Sequence, residues 1–111
     1  SSAHERYKQR VVNSEEGDTV LTLKKHTPVR LIKNKFYDQV VEAESRNASL
    51  EELTSLVGKG RAKKGIFEGD LEEGELEIGQ VSAAIHRSQP AAEIVTEIWE
   101  EYVRAKKALT A

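Results

Sequence analysis

Cysteine and methionine are both absent from this 111-residue chain, proline occurs twice, and aromatic side chains make up only 5% of it. Without cysteine there is no disulfide, no thiolate nucleophile and no cysteine-based zinc site. No apolar run approaches the roughly 18 residues that a membrane-spanning helix needs. The net charge of −2 argues against a general nucleic-acid-binding protein. We therefore expect no nucleic-acid or membrane partner, and a cytoplasmic location by default.

The composition is polar for a domain that folds alone, with 38% hydrophobic and 32% charged residues. A chain of this length buries only roughly 60% of the surface that it exposes when unfolded. Strand-like sequence is scarce, whereas two long segments are amphipathic. We therefore expect the chain to be part of a larger protein, with apolar faces that further chain covers.

The first third of the chain predicts one helix and two short strands. Ser1 or Ser2 is a suitable N-cap for a helix of about three turns. The β-branched and partly alternating residues of 19–24 predict a strand, and those of 29–32 predict a second. The two strands could pair as a hairpin.

Two capped helices are predicted to follow the second strand. Asn34 is a plausible N-cap for a helix over 35–46. Ser49 and Glu52 form a capping-box pattern ahead of a second apolar run, which Gly58 ends. Both helices carry apolar residues at helical spacing.

The last segment predicts a long amphipathic helix over 90–109, preceded by a short helix of small residues over 81–85. Acidic residues lead the long helix and basic residues end it, which matches the helix dipole. The sequence spaces its apolar residues as a helical stripe: Ile94, Val95, Ile98, Trp99, Tyr102, Val103, Ala105 and Leu109.

Four of the seven glycines fall within one stretch, at positions 65, 69, 74 and 79. An interior glycine costs a helix roughly 1 kcal/mol relative to alanine, so the spacing argues against a helix there. The apolar residues between the glycines argue against a solvated linker. We therefore predict an ordered, tightly turning segment whose backbone approaches another surface closely, such as a cofactor or another domain.

The residues of this sequence that could form a catalytic or metal site are better interpreted as ordinary surface residues. The three histidines lack metal-ligand spacing, so we expect no metal site. The acidic residues of 68–77 fail the calcium-loop pattern and favour a solvated rim. The basic cluster 59–64 could hold phosphate, but it lacks the phosphate-loop order, and a solvated basic turn is the better interpretation.

One family resemblance extends over nearly the whole chain. Gly69-Asp70, then Gly74, then Gly79-Gln80 and the small-residue run to Ile85 stand in the order of a C-terminal signature, which a proline and an acidic helix complete. This pattern resembles the family of nitronate monooxygenases (2-nitropropane dioxygenase-like) and flavin-dependent enoyl-[acyl-carrier-protein] reductases of type II. The Glu-Gly-Asp-Leu-Glu-Glu-Gly sequence favours the reductase branch.

The resemblance implies an α/β fold, namely the C-terminal fragment of an FMN-binding TIM (β/α)8 barrel enzyme. Residues 1–78 are expected to be a mostly helical small domain inserted after barrel strand eight, with a short two-stranded element and the active-site loop. Residues 79–111 are expected to be the closing helices of the barrel. The catalytic residues are expected upstream of Ser1, so this fragment alone should be inactive.

The same resemblance implies FMN and NAD(P)H as cofactors and an enoyl thioester on acyl-carrier protein as substrate. Gly79 and Gln80 are expected to contact the flavin, and Glu77 and Ile78 to form the wall of the substrate pocket. For the dinucleotide phosphates, the candidates are Arg30 and Lys33. The upstream FMN barrel of the same enzyme is an expected partner, and a homodimer is compatible with this interpretation.

Two other functions compete with an enoyl-acyl-carrier-protein reductase in bacterial fatty acid synthesis. A nitronate monooxygenase would oxidise alkyl nitronates with FMN and oxygen, without a nicotinamide cofactor. A stand-alone helical interaction module would instead use the aromatic residues of the last helix, and it would have to fold without further chain.

Overall fold

The computed structural model describes residues 1–110, which form two strands, five α-helices and one 3-10 helix. In chain order these are α1 (Glu5–Val12), β1 (Thr19–Thr22), β2 (Val29–Ile32), α2 (Lys35–Ser45), α3 (Leu50–Val57), α4 (Arg61–Ile66), the 3-10 helix Gln80–Ala84 and α5 (Ala91–Thr110). The fold is α/β and mostly helical, with a two-stranded sheet.

The two strands form an antiparallel hairpin, which confirms the pairing that the sequence left open. The register places Thr19 opposite Ile32 and Thr22 opposite Val29. β1 ends two residues earlier than predicted because Leu23 adopts a φ of 53°, which takes the chain out of the extended conformation. The carbonyl of Leu23 then accepts a hydrogen bond from the amide of His26 and closes the turn.

A third extended segment lies against the free edge of β2. Leu31 and Glu77 form an isolated antiparallel bridge. The amide of Ile32 donates to the carbonyl of Leu76, and the amide of Ile78 donates to the carbonyl of Arg30. β2 therefore lies between β1 and the segment 76–78, and this position keeps Leu31 and Ile32 fully buried.

The hydrophobic core lies between the hairpin and the helices α2 and α3. α2 begins after Asn34, whose side chain accepts a hydrogen bond from the amide of Tyr37. Its buried face packs onto β2 and α3, because residues three and four positions apart share one side of a helix. The buried core comprises Leu23, Leu31, Phe36, Val40, Ala43 and Leu53.

Two of the predicted helix caps are confirmed and one prediction is wrong. Asn34 caps α2, and Ser49 caps α3 through the amide of Glu52. The N-cap of α1 is His4 and not Ser1 or Ser2: the His4 Nδ1 accepts a hydrogen bond from the backbone amide two residues further on. The imidazole acceptor thus does what a serine hydroxyl would do.

The prediction that the basic cluster 59–64 forms a solvated turn is wrong. Most of it lies in α4, which also includes Gly65. The backbone amide of Glu75 donates to the carbonyl of Arg61, and the Arg61 guanidinium lies 4.8 Å from the centre of the Phe36 ring. These tertiary contacts stabilise a helix that its glycine disfavours.

The long helix α5 begins and ends within one residue of its predicted bounds, and the short helix before it is a 3-10 helix at 80–84. No residue of α5 is buried within the part of the chain that the structure describes. Its exposed large apolar residues are Ile94, Val95, Ile98, Trp99, Tyr102 and Leu109. The division of the chain at residue 78 remains a prediction.

Candidate functional site

The candidate site is built on residues 77–80, which follow the glycine-rich stretch and precede the 3-10 helix. The bridge to β2 fixes the start of this segment, because the amide of Ile78 is bonded to the carbonyl of Arg30 at 3.1 Å. Ile78 is half-buried, whereas Glu77, Gly79 and Gln80 are exposed. The four residues predicted to face the flavin and the substrate therefore form one continuous, mostly exposed surface.

Tyr7 of α1 holds this segment from the side opposite to β2. Its hydroxyl donates a hydrogen bond of 2.7 Å to the backbone carbonyl of Glu77. Burial, followed by the nearby Glu77 carboxylate, raises the pKa of Tyr7 above its ordinary value, so the phenol stays protonated as a donor. No role for Tyr7 is evident from the sequence.

Three of the four clustered glycines are explained by packing within this chain. A side chain at Gly74 would overlap the backbone of Gly65, because α4 and the loop meet there with no space for a Cβ atom. At Gly69, where φ is 78°, a Cβ atom would collide with the ring of His4. The close approach predicted for this stretch is therefore made within the chain itself at Gly65, Gly69 and Gly74, and not to a cofactor or another domain.

Gly79 differs from the other three glycines. Nothing among the described residues lies within 4 Å of the position that its Cβ atom would take, and its φ of −86° suits any residue. The neighbouring Gln80 is exposed, and its side-chain amide has no hydrogen bond to residues 1–110. The backbone of Gly79 and the amide of Gln80 are thus open to another molecule or another part of the protein.

Glu75 contradicts the prediction of a solvated acidic rim. Its relative exposure is 7%, although it lies between exposed acidic residues. Burial is the main cause that raises the pKa of Glu75 to about 7, and the adjacent Glu77 carboxylate adds to it, while Arg61 opposes it. The segment before the site therefore contains a carboxyl group that titrates near neutral pH.

Two other acidic residues of the loop, Asp70 and Glu73, are stabilised as carboxylates. Asp70 accepts hydrogen bonds from the amides of Glu72 and Glu73, and these bonds lower its pKa. Glu73 pairs with Lys35 at 2.6 Å, and this hydrogen bond lowers the pKa of Glu73. The loop is therefore ordered by its own charges and amides.

Arg30 and Lys33, the candidates for a dinucleotide contact, lie in different environments. The Arg30 guanidinium donates to the carbonyl of Thr19 at 3.0 Å and to its hydroxyl at 3.2 Å, so it joins β2 to β1. Lys33 is exposed: its backbone amide donates to the carbonyl of Asp18, and its side chain has no hydrogen bond or ion pair within residues 1–110. Of the two, Lys33 has the freer side chain.

A groove of about 360 Å³ opens beside the site, between α1, Ile78 and the first turn of α5. Its surface is mostly apolar, and the groove shares Tyr7 and Ile78 with the candidate site. The main apolar residues that line it are Tyr7, Val11, Ile78, Ile85, Ala91 and Ile94.

Sequence reasoning missed the two groups that are most unusual in the structure, Tyr7 and Glu75. No local signal indicates the burial of Glu75, because alternation would place it on the same face as the exposed Glu77, opposite the buried Leu76. For Tyr7 no local signal exists either, because its acceptor lies 70 residues away.

The described residues contain no group of three or more histidine or acidic side chains arranged to hold a metal ion. None of the helices over 1–110 combines the length and the apolar character that crossing a membrane requires.

The nitronate monooxygenase family model matches residues 1–101 of this chain. The chain belongs to the nitronate monooxygenase family. This match covers α1, the hairpin, the glycine-rich stretch, the candidate site and the first half of α5. Members of this family are flavin-dependent oxidoreductases. No curated protein sequence matches the chain significantly.

Two solved structures with the same fold are both of FabK from Thermotoga maritima. The first, of FabK itself, is 28% identical with a TM-score of 0.86, and the match covers 97% of this chain and 34% of that one. The second, an M276A mutant of FabK, is 27% identical with a TM-score of 0.79, covering 99% of this chain and 32% of that one. This member of the nitronate monooxygenase family therefore spans about a third of the length of the FabK chains.

Proposed function

We propose that this chain is the C-terminal part of an FMN-dependent enoyl-acyl-carrier-protein reductase that uses NAD(P)H in bacterial fatty acid synthesis. The observation that carries the proposal is the match to FabK, an enoyl-acyl-carrier-protein reductase of type II, over 97% of the chain with a TM-score of 0.86. The family match to flavin-dependent oxidoreductases supports the flavin.

The remainder of the enzyme would supply the FMN barrel and the catalytic residues upstream of Ser1. The exposed apolar stripe of α5 supports this proposal, because a helix with such a stripe is normally covered by another part of the protein. In this proposal residues 1–78 form the small inserted domain, and residues 79–111 close the barrel. The enzyme is placed in the cytoplasm, with acyl-carrier protein as its partner and a homodimer as a compatible assembly.

The residues of the candidate site fit a flavin. Gly79 leaves its backbone open on one side, and Gln80 offers a free amide that can both donate and accept hydrogen bonds. When bound, FMN would supply hydride transfer between the nicotinamide and the enoyl thioester, and the protein would orient the partners and exclude water. Glu77 and Ile78 would form the adjoining pocket wall, to which Ile78 contributes the apolar surface.

A dinucleotide contact is better supported at Lys33 than at Arg30. The Arg30 guanidinium is already bonded to Thr19, whereas the Lys33 side chain is exposed and available to a phosphate. In the full-length enzyme, Lys33→Ala is expected to raise the KM for NAD(P)H about threefold to tenfold. Lys24→Ala, which removes another exposed lysine, is the matched control.

Nitronate monooxygenase is the second candidate activity, because the family model that matches this chain bears that name. Such an enzyme would consume oxygen with alkyl nitronates and would need no nicotinamide. The two activities therefore separate by substrate and by cofactor.

The deciding experiment uses the full-length enzyme that contains this chain, purified with FMN. NAD(P)H oxidation that depends on an enoyl thioester supports the reductase. Oxygen uptake with alkyl nitronates and no enoyl reduction would replace it with the monooxygenase. In the same assay Gly79→Val is expected to weaken FMN binding about tenfold or more, because a branched side chain would occupy the space beside the backbone.

A stand-alone interaction module is the third candidate, and the exposed Trp99 and Tyr102 of α5 are its supporting feature. It requires that the 111 residues fold and function alone. A binding partner for the isolated chain, together with full-length protein that shows no flavin, would favour this candidate over both enzymes.

A further inference from the structure

The geometry of the bridge to β2 determines where the peptide groups of Glu77 point. In an antiparallel bridge between Leu31 and Glu77, the partners of β2 are the carbonyl of Leu76 and the amide of Ile78. The carbonyl of Glu77 itself therefore points away from β2, towards α1. A carbonyl on this outer edge needs another donor if it is shielded from water.

The Tyr7 hydroxyl supplies that donor at 2.7 Å. Within residues 1–110 it is the one side chain that makes a hydrogen bond to the backbone of 76–80. The segment is thus held on one edge by two backbone hydrogen bonds and on the other by a single phenol.

The donor itself is held in place at both ends of α1. The amide of His4 donates to the carbonyl of Ile66 at 2.7 Å, so the start of α1 is joined to the end of α4. The ring of His4 also packs against Gly69. Later along α1, Arg10 and Asp18 approach within 3.9 Å. A helix fixed in this way holds the phenol in one position relative to β2.

We propose that Tyr7 is a positioning residue, whose hydroxyl fixes the peptide between Glu77 and Ile78 and thereby places Ile78 and Gly79 for substrate and flavin. The placement rests on the observed hydrogen bond, and its effect on substrate rests on the proposed function. Tyr7 is not a catalytic residue in this proposal, because it acts through the backbone of Glu77. Its ring also lines the neighbouring groove, so the effect of losing the hydroxyl must be measured separately from the effect of losing the ring.

Tyr7→Phe removes the hydroxyl and keeps the ring. Tyr37→Phe is the matched control, because Tyr37 is also half-buried and its hydroxyl has no hydrogen bond to the residues that the structure describes. Both variants are made in the full-length enzyme with FMN bound. Far-UV circular dichroism and thermal unfolding check that both remain folded.

The first measurement is hydrogen–deuterium exchange of peptides that cover 76–80. Loss of one hydrogen bond to this segment is expected to speed its exchange about fivefold in Tyr7→Phe, with no change in Tyr37→Phe. Unchanged exchange at 76–80 in Tyr7→Phe, or equal changes in both variants, would overturn the proposal. This result does not depend on which reaction the enzyme catalyses.

The second measurement is the split between KM and kcat. Tyr7→Phe is expected to raise the KM for the enoyl thioester about threefold to tenfold, with kcat within about twofold of the wild type. A purely structural role would lower the amount of active enzyme and leave KM unchanged, and that outcome would contradict the proposal. If the wild type turns over only nitronates, the proposed function fails, and the same comparison with a nitronate tests Tyr7 independently.

Discussion

The helices α2 and α5 have similar amphipathic sequences but opposite surroundings. α2 buries Phe36 and Val40 completely beneath the hairpin and α3. On α5, Ile98 is 61% exposed and Trp99 is 64% exposed. The difference teaches that an apolar stripe predicts that a helix will be covered, whereas the identity of the covering surface depends on which parts of the protein are present.

Two polar contacts join α5 to the segment that precedes it. The Arg87 guanidinium donates to the Glu97 carboxylate at 3.0 Å, and the Gln89 amide donates to the same carboxylate at 2.9 Å. These bonds hold the first turns of α5 against the segment 87–89. The buried hydrophobic residues all lie between Leu23 and Leu76, whereas no described residue of α5 is buried.

The largest expected effect tests this contrast directly. Phe36→Ala is expected to reduce the free energy of unfolding by about 3–5 kcal/mol, because it leaves a cavity in the core. Trp99→Ala is expected to change it by less than about 0.5 kcal/mol in the isolated chain, since the ring is exposed. Urea unfolding of both variants measures the difference.

The variants Phe36→Ala and Trp99→Ala are also compared in the full-length protein. If α5 closes the barrel there, Trp99→Ala should become nearly as destabilising as Phe36→Ala. An equally small effect of Trp99→Ala in the full-length enzyme would show that the stripe of α5 stays uncovered.

A second comparison uses two glycines of the same stretch. Gly74→Ala is expected to destabilise the chain by about 3 kcal/mol, because its Cβ atom would overlap the backbone of Gly65, which cannot move aside. Gly79→Ala should leave stability unchanged or raise it by up to about 1 kcal/mol, because its backbone suits alanine and the space is open. Thermal unfolding distinguishes the two, and equal losses would refute the assignment of Gly79 to the open surface.

The third prediction concerns how the free energy of unfolding depends on pH. The pKa of Glu75 is about 7 in the folded chain and roughly 4.3 when unfolded, so the folded state binds one more proton between these values. Stability from this group is therefore full below about pH 4 and is lost as the pH rises towards 7. Between pH 5 and pH 8 the expected loss is roughly 2.5 kcal/mol, from about 1.36 kcal/mol per pKa unit, and it should be absent in Glu75→Gln.

Urea unfolding at pH 5 and pH 8 measures this loss. Glu72→Gln, which changes an exposed carboxylate of the same loop, is the control and should follow the wild type. If the wild type loses no more stability between pH 5 and pH 8 than Glu75→Gln does, Glu75 is ionised and solvated in the folded chain.

The smallest expected effect concerns the surface ion pairs that join α2 and α3. Arg46 forms ion pairs of 2.7 Å with both Glu42 and Glu52, and thus links the two helices at the surface. Arg46→Ala is expected to cost about 0.5–1 kcal/mol at low salt, because exposed ion pairs are weak. The cost should fall in 0.5 M salt, and a salt-independent loss would point instead to packing of the arginine stem.

Local signals predicted the secondary structure where the chain's own residues make the deciding contacts. Asn34 and Ser49 cap the helices that they were predicted to cap, because an N-cap side chain bonds an amide only two or three residues away. The amphipathic period predicted α5 to within one residue at each end. α4 was missed because its stability depends on Arg61 contacts with distant groups, the Phe36 ring among them.

The candidate site was found through its sequence signature, but the arrangement around it was not. The order of Gly79 and Gln80 after the earlier glycines was sufficient to indicate the family, since each motif is short and local. Nothing local indicated that Gly65 and Gly74 pack on each other or that Tyr7 reaches Glu77, because these contacts join residues far apart in the chain.

The sequence by itself determined the helices other than α4, the hairpin strands and the membership of a flavin-dependent family, because caps, periodicity and short motifs are properties of neighbouring residues. Only the tertiary structure decided which glycines are required by internal packing, which carboxyl group is buried, and which side chain holds the site segment. Those properties depend on the surfaces that meet when the chain folds, and the low-dielectric, close-packed contact between them sets both the pKa of Glu75 and the space at Gly79.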